Sequence, residues 1–162
     1  MKNLLVSLIA IASLGPITAL RAADLRAASP WVRGTVPGQT VSGGYVDLTS
    51  KSGATLVGAS SSVAGLAEVH EMKTENGVMK MRRLDVLPIP AGQTVSLAPG
   101  GYHLMLMDLK QMLVPGKSVP VTLKVRDAKG KTETLEVNFE VRDPSGAPAG
   151  GSTQGHAGHH HH

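Results

Sequence analysis

Hydrophobic and polar positions alternate along this chain in short stretches that are separated by turn-forming residues. The clearest alternation covers 119–126 and 132–141, with the apolar positions Leu123, Val125, Leu135, Val137, Phe139 and Val141. A period of two is typical of a half-buried β-strand, and the turn residues 127–130 between the two segments predict a hairpin. No stretch after residue 24 has a long apolar repeat at helical spacing.

Further strands are predicted on the same grounds at 25–35, 41–49, 55–63, 66–72, 78–87, 94–97 and 102–109. Asn76-Gly77 is a typical two-residue hairpin turn and would fold 78–87 back beside 66–72. Pro30 indicates that 30–33 lies at or near a sheet edge, because proline donates no ladder hydrogen bond. Many short strands with frequent turns predict an all-β fold, an antiparallel sandwich or barrel.

The pattern changes at both ends of the chain. Residues 1–22 have a basic start, an apolar run and small residues before Asp24, which predicts a cleavable secretory signal peptide. A membrane anchor is the weaker alternative, because the run is short and Gly15-Pro16 interrupts it. Residues 24–142 predict one domain, and 143–162 a flexible tail rich in Gly, Pro and His. We therefore expect an exported, periplasmic and monomeric protein with no membrane anchor after cleavage.

Charge and cysteine content exclude several classes of protein. The formal net charge is +4, and without Lys2 and Arg21 there remain 14 basic residues against 12 acidic ones, a net charge of +2. That charge is too small and too scattered to indicate nucleic-acid binding. The chain has no cysteine, which excludes disulfides, thiolate catalysis and a blue-copper centre.

Histidine and methionine supply the candidate chemistry. Outside the tail the only histidines are His70 and His103, and each is followed two positions later by a methionine, Met72 and Met105. Imidazole and thioether form a soft, neutral ligand set that suits Cu(I) better than zinc, magnesium or calcium.

Strand geometry indicates how these side chains could meet. Residues at i and i+2 share a strand face, so the pairs His70/Met72, Met79/Met81 and His103/Met105 would each point one way. The hairpin would bring the first two pairs close enough to share an ion. Met107 and Met112 are expected to be core residues, because methionine in an apolar strand is usually a filler.

The spacing of these residues resembles the H-x10-M-x21-H-x-M signature of the PCuAC family of periplasmic copper chaperones, with His70, Met81, His103 and Met105 at its four positions. Other matching segments are Trp31-Val32-Arg33, Val36-Pro37-Gly38-Gln39, Ser42-Gly43-Gly44-Tyr45, His70-Glu71-Met72, Gly77-Val78-Met79-Lys80-Met81 and the run from Pro99 to Met107. The resemblance covers 24–142.

The resemblance implies a cupredoxin-like β-sandwich with Greek-key connections and an exposed Cu(I) site formed by the four signature residues. It also implies delivery of copper to the copper-site subunit of cytochrome c oxidase, alongside Sco-type copper chaperones, and no enzymatic activity. Met72 and Met79 are not signature residues, and we treat them as auxiliary ligands.

The tail and the function leave alternatives open. His156, His159, His160, His161 and His162 could bind Cu(II), although a purification tag would give a similar tract. A copper-sequestering resistance protein would use the same ligands as a chaperone. A copper oxidoreductase is less expected, because such a site normally needs more histidine than the domain supplies.

Overall fold

The computed structural model describes residues 24–146, and within this range every regular element is a β-strand. This confirms the predicted all-β fold. No helix among the described residues is long and apolar enough to cross a membrane. The predicted signal peptide, the end of the tail and its five histidines lie outside the described residues.

Ten strands follow one another along the chain. They are β1 (Leu25–Arg33), β2 (Ser42–Ser50), β3 (Ala54–Ser61), β4 (Ala64–Glu75), β5 (Val78–Leu84), β6 (Leu87–Ile89), β7 (Thr94–Leu97), β8 (Tyr102–Leu109), β9 (Ser118–Asp127) and β10 (Thr132–Arg142).

Eight of these strands close into a barrel. The neighbours run in the order β4-β8-β7-β2-β1-β10-β9-β3, and a pairing of Ala59 with Ala67 joins β3 back to β4. The strands β5 and β6 lie outside this ring, on β4 and β3 respectively. The pairings are antiparallel apart from β1–β10 and β7–β8, which are parallel.

The core fills the inside of the barrel with aliphatic side chains and one phenylalanine. Completely or almost completely buried residues include Val32, Leu48, Leu56, Val69, Leu104, Leu106, Leu123, Val125, Phe139 and Val141. Removing this apolar surface from water is the main stabilising contribution in a chain that has no disulfide. On β8, Leu104 and Leu106 point inward, so His103, Met105 and Met107 point outward.

Two details differ from the sequence prediction. The strand β1 lies between β2 and β10 and is not a sheet edge, and its pairing with β2 is irregular between Ala28 and Trp31. Pro30 is accommodated by this bulge, where no ladder hydrogen bond is required. The predicted strand 78–87 also ends early, because Leu87–Ile89 leaves β4 and pairs with β3.

Candidate metal centre

Strand register brings the candidate ligands onto one outer face of the barrel. Met72 on β4 pairs with Met81 on β5, and His70 on β4 pairs with His103 on β8. Directly paired residues share a face, as do residues two apart on a strand. Met105 therefore joins the other four residues on the face opposite to the buried Val69 and Leu104.

A cleft of about 700 Å³ opens on this face. The cleft is lined by four of the candidate residues and by neighbouring parts of the barrel. These are Met72, Met81, His103 and Met105, together with Arg33, Tyr45 and the segments 38–43 and 99–100. His70 is not part of the cleft wall, but its ring centroid lies 5.9 Å from that of His103. Both imidazoles and three methionines are therefore gathered at one place.

The backbone fixes the orientation of His103. Its Nδ1 donates a hydrogen bond to the Gly101 carbonyl at 3.1 Å, and the same oxygen accepts the Met72 amide at 3.0 Å. Because a carbonyl oxygen can only accept, Nδ1 carries the proton and Nε2 keeps its lone pair. His103 is only 6% exposed, so this ring has little freedom to turn.

A carboxylate holds His70 by its other ring nitrogen, Nε2. Its Nε2 donates to Glu68 Oε2 at 2.8 Å. Its Nδ1 is buried and has no hydrogen-bond partner among the described residues. An unpaired buried acceptor costs about 1–3 kcal/mol, and a metal ion would remove that cost. The donor set therefore fits copper: imidazole nitrogens without other partners, next to thioether sulfurs.

The methionines differ in their exposure. Met81 is 46% exposed, whereas Met72 and Met105 are half-buried, so each methionine is more exposed than His103. Met79 shares the face of Met81 but pairs with Thr74 near the hairpin turn, is 62% exposed and does not line the cleft. Of the two auxiliary candidates, Met72 lines the cleft and Met79 does not.

The expected core role is wrong for Met112. This residue is 48% exposed in the loop after β8, where the neighbouring Leu113 is buried instead. Met107 is half-buried and pairs with Leu66 on the outer face, so the expected core role is wrong for this residue too. Neither residue lines the cleft.

Acidic clusters do not explain the site. Within residues 24–146 no group of three or more histidine, aspartate or glutamate side chains could hold a metal ion. The cleft instead combines His103 with the thioether sulfurs of three methionines, a set that favours a soft ion.

Several residues of the site were not predicted as functional from the sequence. Glu68 and the Gly101 carbonyl orient the two imidazoles, and Arg33 lines the cleft with a buried Nε that has no partner among the described residues. For Glu68 a signal was available, because it lies two positions before His70 and so shares its face. The contact with Gly101 depends on loop geometry and left no pattern in the sequence.

Comparison with known proteins identifies the family. The family model described as "Putative lipoprotein LpqE-like" matches residues 25–141. The chain belongs to the LpqE-like family. This is the family of PCuAC domains, so the resemblance seen in the residues is confirmed at family level.

A curated relative supports the assignment. The protein named "Putative lipoprotein Lxx21020" from Leifsonia xyli subsp. xyli is 40% identical over 128 residues, which cover 78% of this chain and 75% of the relative.

Solved structures share the fold. Copper(I)-loaded DR1885 from Deinococcus radiodurans is 31% identical with a TM-score of 0.53, covering 78% of this chain and 81% of that chain. The apo form of DR1885 is 28% identical with a TM-score of 0.59, covering 91% of this chain and 99% of that chain. The copper-bound PCuAC domain of PmoF2 is 23% identical with a TM-score of 0.61, covering 77% of this chain and 98% of that chain. The cupredoxin-like β fold of PCuAC domains is therefore the fold of this chain.

A substitution at Gly43 tests how Tyr45 packs in the wall of the cleft. A Cβ at this position would lie 2.7 Å from the Tyr45 hydroxyl oxygen, so Gly43→Ala must displace that ring. We expect a loss of about 1–3 kcal/mol in the free energy of unfolding, as for other overpacked sites, measured by denaturant titration. Gly101→Ala is the control, because its Cβ would meet only the Ala98 carbonyl at 3.7 Å. Equal stabilities of the two variants would contradict the packing of Tyr45 over Gly43.

Proposed function

We propose that this protein is a copper chaperone that binds one Cu(I) ion through His70, Met81, His103 and Met105 and passes it to an acceptor protein. The observation that carries the proposal is the gathering of His103 and the signature methionines in one cleft, with the His70 ring centroid 5.9 Å from that of His103. Membership of a family with copper-bound PCuAC structures supports it. Copper is here the cargo, and the proposal includes no enzymatic reaction.

The ligand chemistry suits a carrier. Two neutral nitrogens and two thioethers favour Cu(I) over Cu(II), and no thiol is present that could oxidise to a disulfide. The exposed Met81 gives an acceptor direct access to one sulfur ligand. Such an ion can leave by ligand exchange, with the acceptor's ligands replacing the methionines one at a time.

We further propose that the protein works outside the cytoplasm as a monomer. Residues 1–22 support export, and so do the lipoprotein names of the family and the relative. We therefore propose a protein released into the periplasm by signal cleavage.

The first prediction on copper binding and delivery concerns the ligands. Met81→Ala and His103→Ala each remove one donor, so we expect each variant to bind Cu(I) at least about 10-fold more weakly than the unchanged protein. X-ray absorption should show one sulfur fewer for Met81→Ala and one nitrogen fewer for His103→Ala. Met112→Ala is the control, because Met112 lies away from the cleft. Unchanged sulfur and nitrogen shells in both ligand variants would refute the assignment.

The second prediction concerns the tail. We propose that His156 and His159–His162 capture Cu(II) while the folded site holds Cu(I), because imidazoles without sulfur favour divalent ions. A chain that ends at Arg142 should still bind Cu(I) in an anaerobic titration. In an aerobic titration it should no longer bind Cu(II). A full-length chain with the five tail histidines changed to alanine is the control for length. If the shortened chain bound as many Cu(II) ions, the tail would have no such role.

The third prediction separates delivery from sequestration. We propose that the acceptor is the copper-site subunit of cytochrome c oxidase, with Sco-type proteins acting on the same route, as the family resemblance implies. Deleting the gene should then lower oxidase activity at limiting copper, and the unchanged protein should restore it while His103→Ala should not. Normal oxidase activity combined with increased sensitivity to copper would instead identify a sequestering protein.

A further inference from the structure

Glu68 lies among the proposed copper ligands without being one of them. It precedes His70 by two residues on β4 and pairs with Met105 on β8, so its side chain shares their face. Its side chain is only 15% exposed. A carboxylate this well buried needs partners for both oxygens, or its burial is costly.

Each oxygen of Glu68 has its own partner. Oε2 accepts the His70 Nε2 proton at 2.8 Å, and Oε1 lies 3.4 Å from Arg83 Nε. Arg83 is on β5 and pairs with His70, two residues beyond Met81. The carboxylate thus contacts one proposed ligand directly and the strand that carries a second ligand through Arg83.

Glu71 shows that an ion pair between β4 and β5 does not by itself explain Glu68. Glu71 is 17% exposed and pairs with Arg82 at 2.6 Å, joining the same two strands. Residue 71 is one position from His70, so its side chain lies on the opposite face of β4 from Glu68 and His70. The two glutamates are therefore matched in burial and partner type, and they differ in the contact with His70.

We propose that Glu68 is a positioning residue of the copper site, which holds the proton of His70 on Nε2 so that Nδ1 is the nitrogen that binds Cu(I). This inference rests on the proposed function. His103 binds through the other nitrogen, Nε2, because Gly101 holds the proton on its Nδ1. Metal-binding histidines generally donate their second ring nitrogen to a carboxylate or carbonyl in this way, which fixes the ring and raises its basicity.

The charge of Glu68 has a second effect. The four proposed ligands are neutral, so a bound Cu(I) ion keeps its full positive charge in a partly buried site. Glu68 supplies a negative charge one imidazole away without adding a hard oxygen ligand. Glu68 shares this charge with Arg83, so a negative oxygen lies near the site while the ligand set itself stays soft.

The test begins with the ring nitrogens, observed by long-range 1H–15N NMR. In the copper-free protein we expect protonated Nε2 on His70 and protonated Nδ1 on His103. Adding Cu(I) under anaerobic conditions should shift Nδ1 of His70 and Nε2 of His103. Copper on Nε2 of His70 would overturn the inference.

Three variants separate orientation from charge. Glu68→Ala removes the acceptor, so we expect His70 to lose its preference for one protonated nitrogen and Cu(I) affinity to fall about 10–100-fold. Glu68→Gln keeps an acceptor oxygen and should retain the His70 proton on Nε2, with a smaller fall in affinity from the lost charge. Glu71→Ala is the matched control and should bind Cu(I) as the unchanged protein does.

The outcomes distinguish this inference from the proposed function. Amide NMR spectra of all three variants would first show that the fold is kept, and Glu68→Gln serves if Glu68→Ala does not fold. Unchanged His70 nitrogens and unchanged affinity in the Glu68 variants would overturn the role of Glu68 alone. If Cu(I) shifted neither histidine in the unchanged protein, the proposed function itself would fail.

Discussion

The candidate site depends on the register of three neighbouring strands. A strand has a side-chain period of two, so a slip of one residue in β4 against β8 would turn His70 into the core and leave Val69 on the outside. That slip is prevented on the inner face, where Val69 and Leu104 pack against the rest of the barrel and are almost fully buried. The same packing that stabilises the barrel therefore aligns His70 with His103 and Met72 with Met81. In this protein stability and ligand geometry share one cause.

The candidate ligands differ in how firmly they are held: the imidazoles are largely buried and hydrogen-bonded, and Met81 is exposed. The imidazoles are held by the Gly101 carbonyl and the Glu68 carboxylate, whereas Met81 is on β5, which has one neighbouring strand and is largely exposed. Preorganised nitrogens lower the cost of ordering the site when the ion binds. Flexible thioether side chains at the surface allow ligands to be exchanged without unfolding the barrel. This division of roles would suit the proposed carrier, whose ion must both enter and leave.

Sequence patterns predicted well wherever a local rule decided the structure. Asn76 and Gly77 both have positive φ angles, 52° and 76°, as the hairpin turn requires, and the alternation of β9 and β10 predicted their pairing. Prediction failed where a distant strand intervened. Pro30 indicated a sheet edge because the sequence does not show that the distant β10 pairs with β1, and the residue lies in a bulge of the β1–β2 pairing instead. Leu87–Ile89 pairs with β3 rather than β4 because β3 offers a free edge at that point. Methionine in an apolar strand is usually a core residue, which predicted a buried Met112, but the loop buries Leu113 instead.

The amino-acid sequence alone determined the kinds of candidate ligand, their pairing along each strand and the resemblance to PCuAC domains, because residue chemistry and two-residue periodicity are local properties. Only the tertiary structure decided that β4 lies between β5 and β8, since that placement results from closing a barrel of eight strands around one core. It also decided which nitrogen of each imidazole is free. Those choices depend on Glu68 and the Gly101 carbonyl, whose contacts form only when the strands and the loop before β8 have come together.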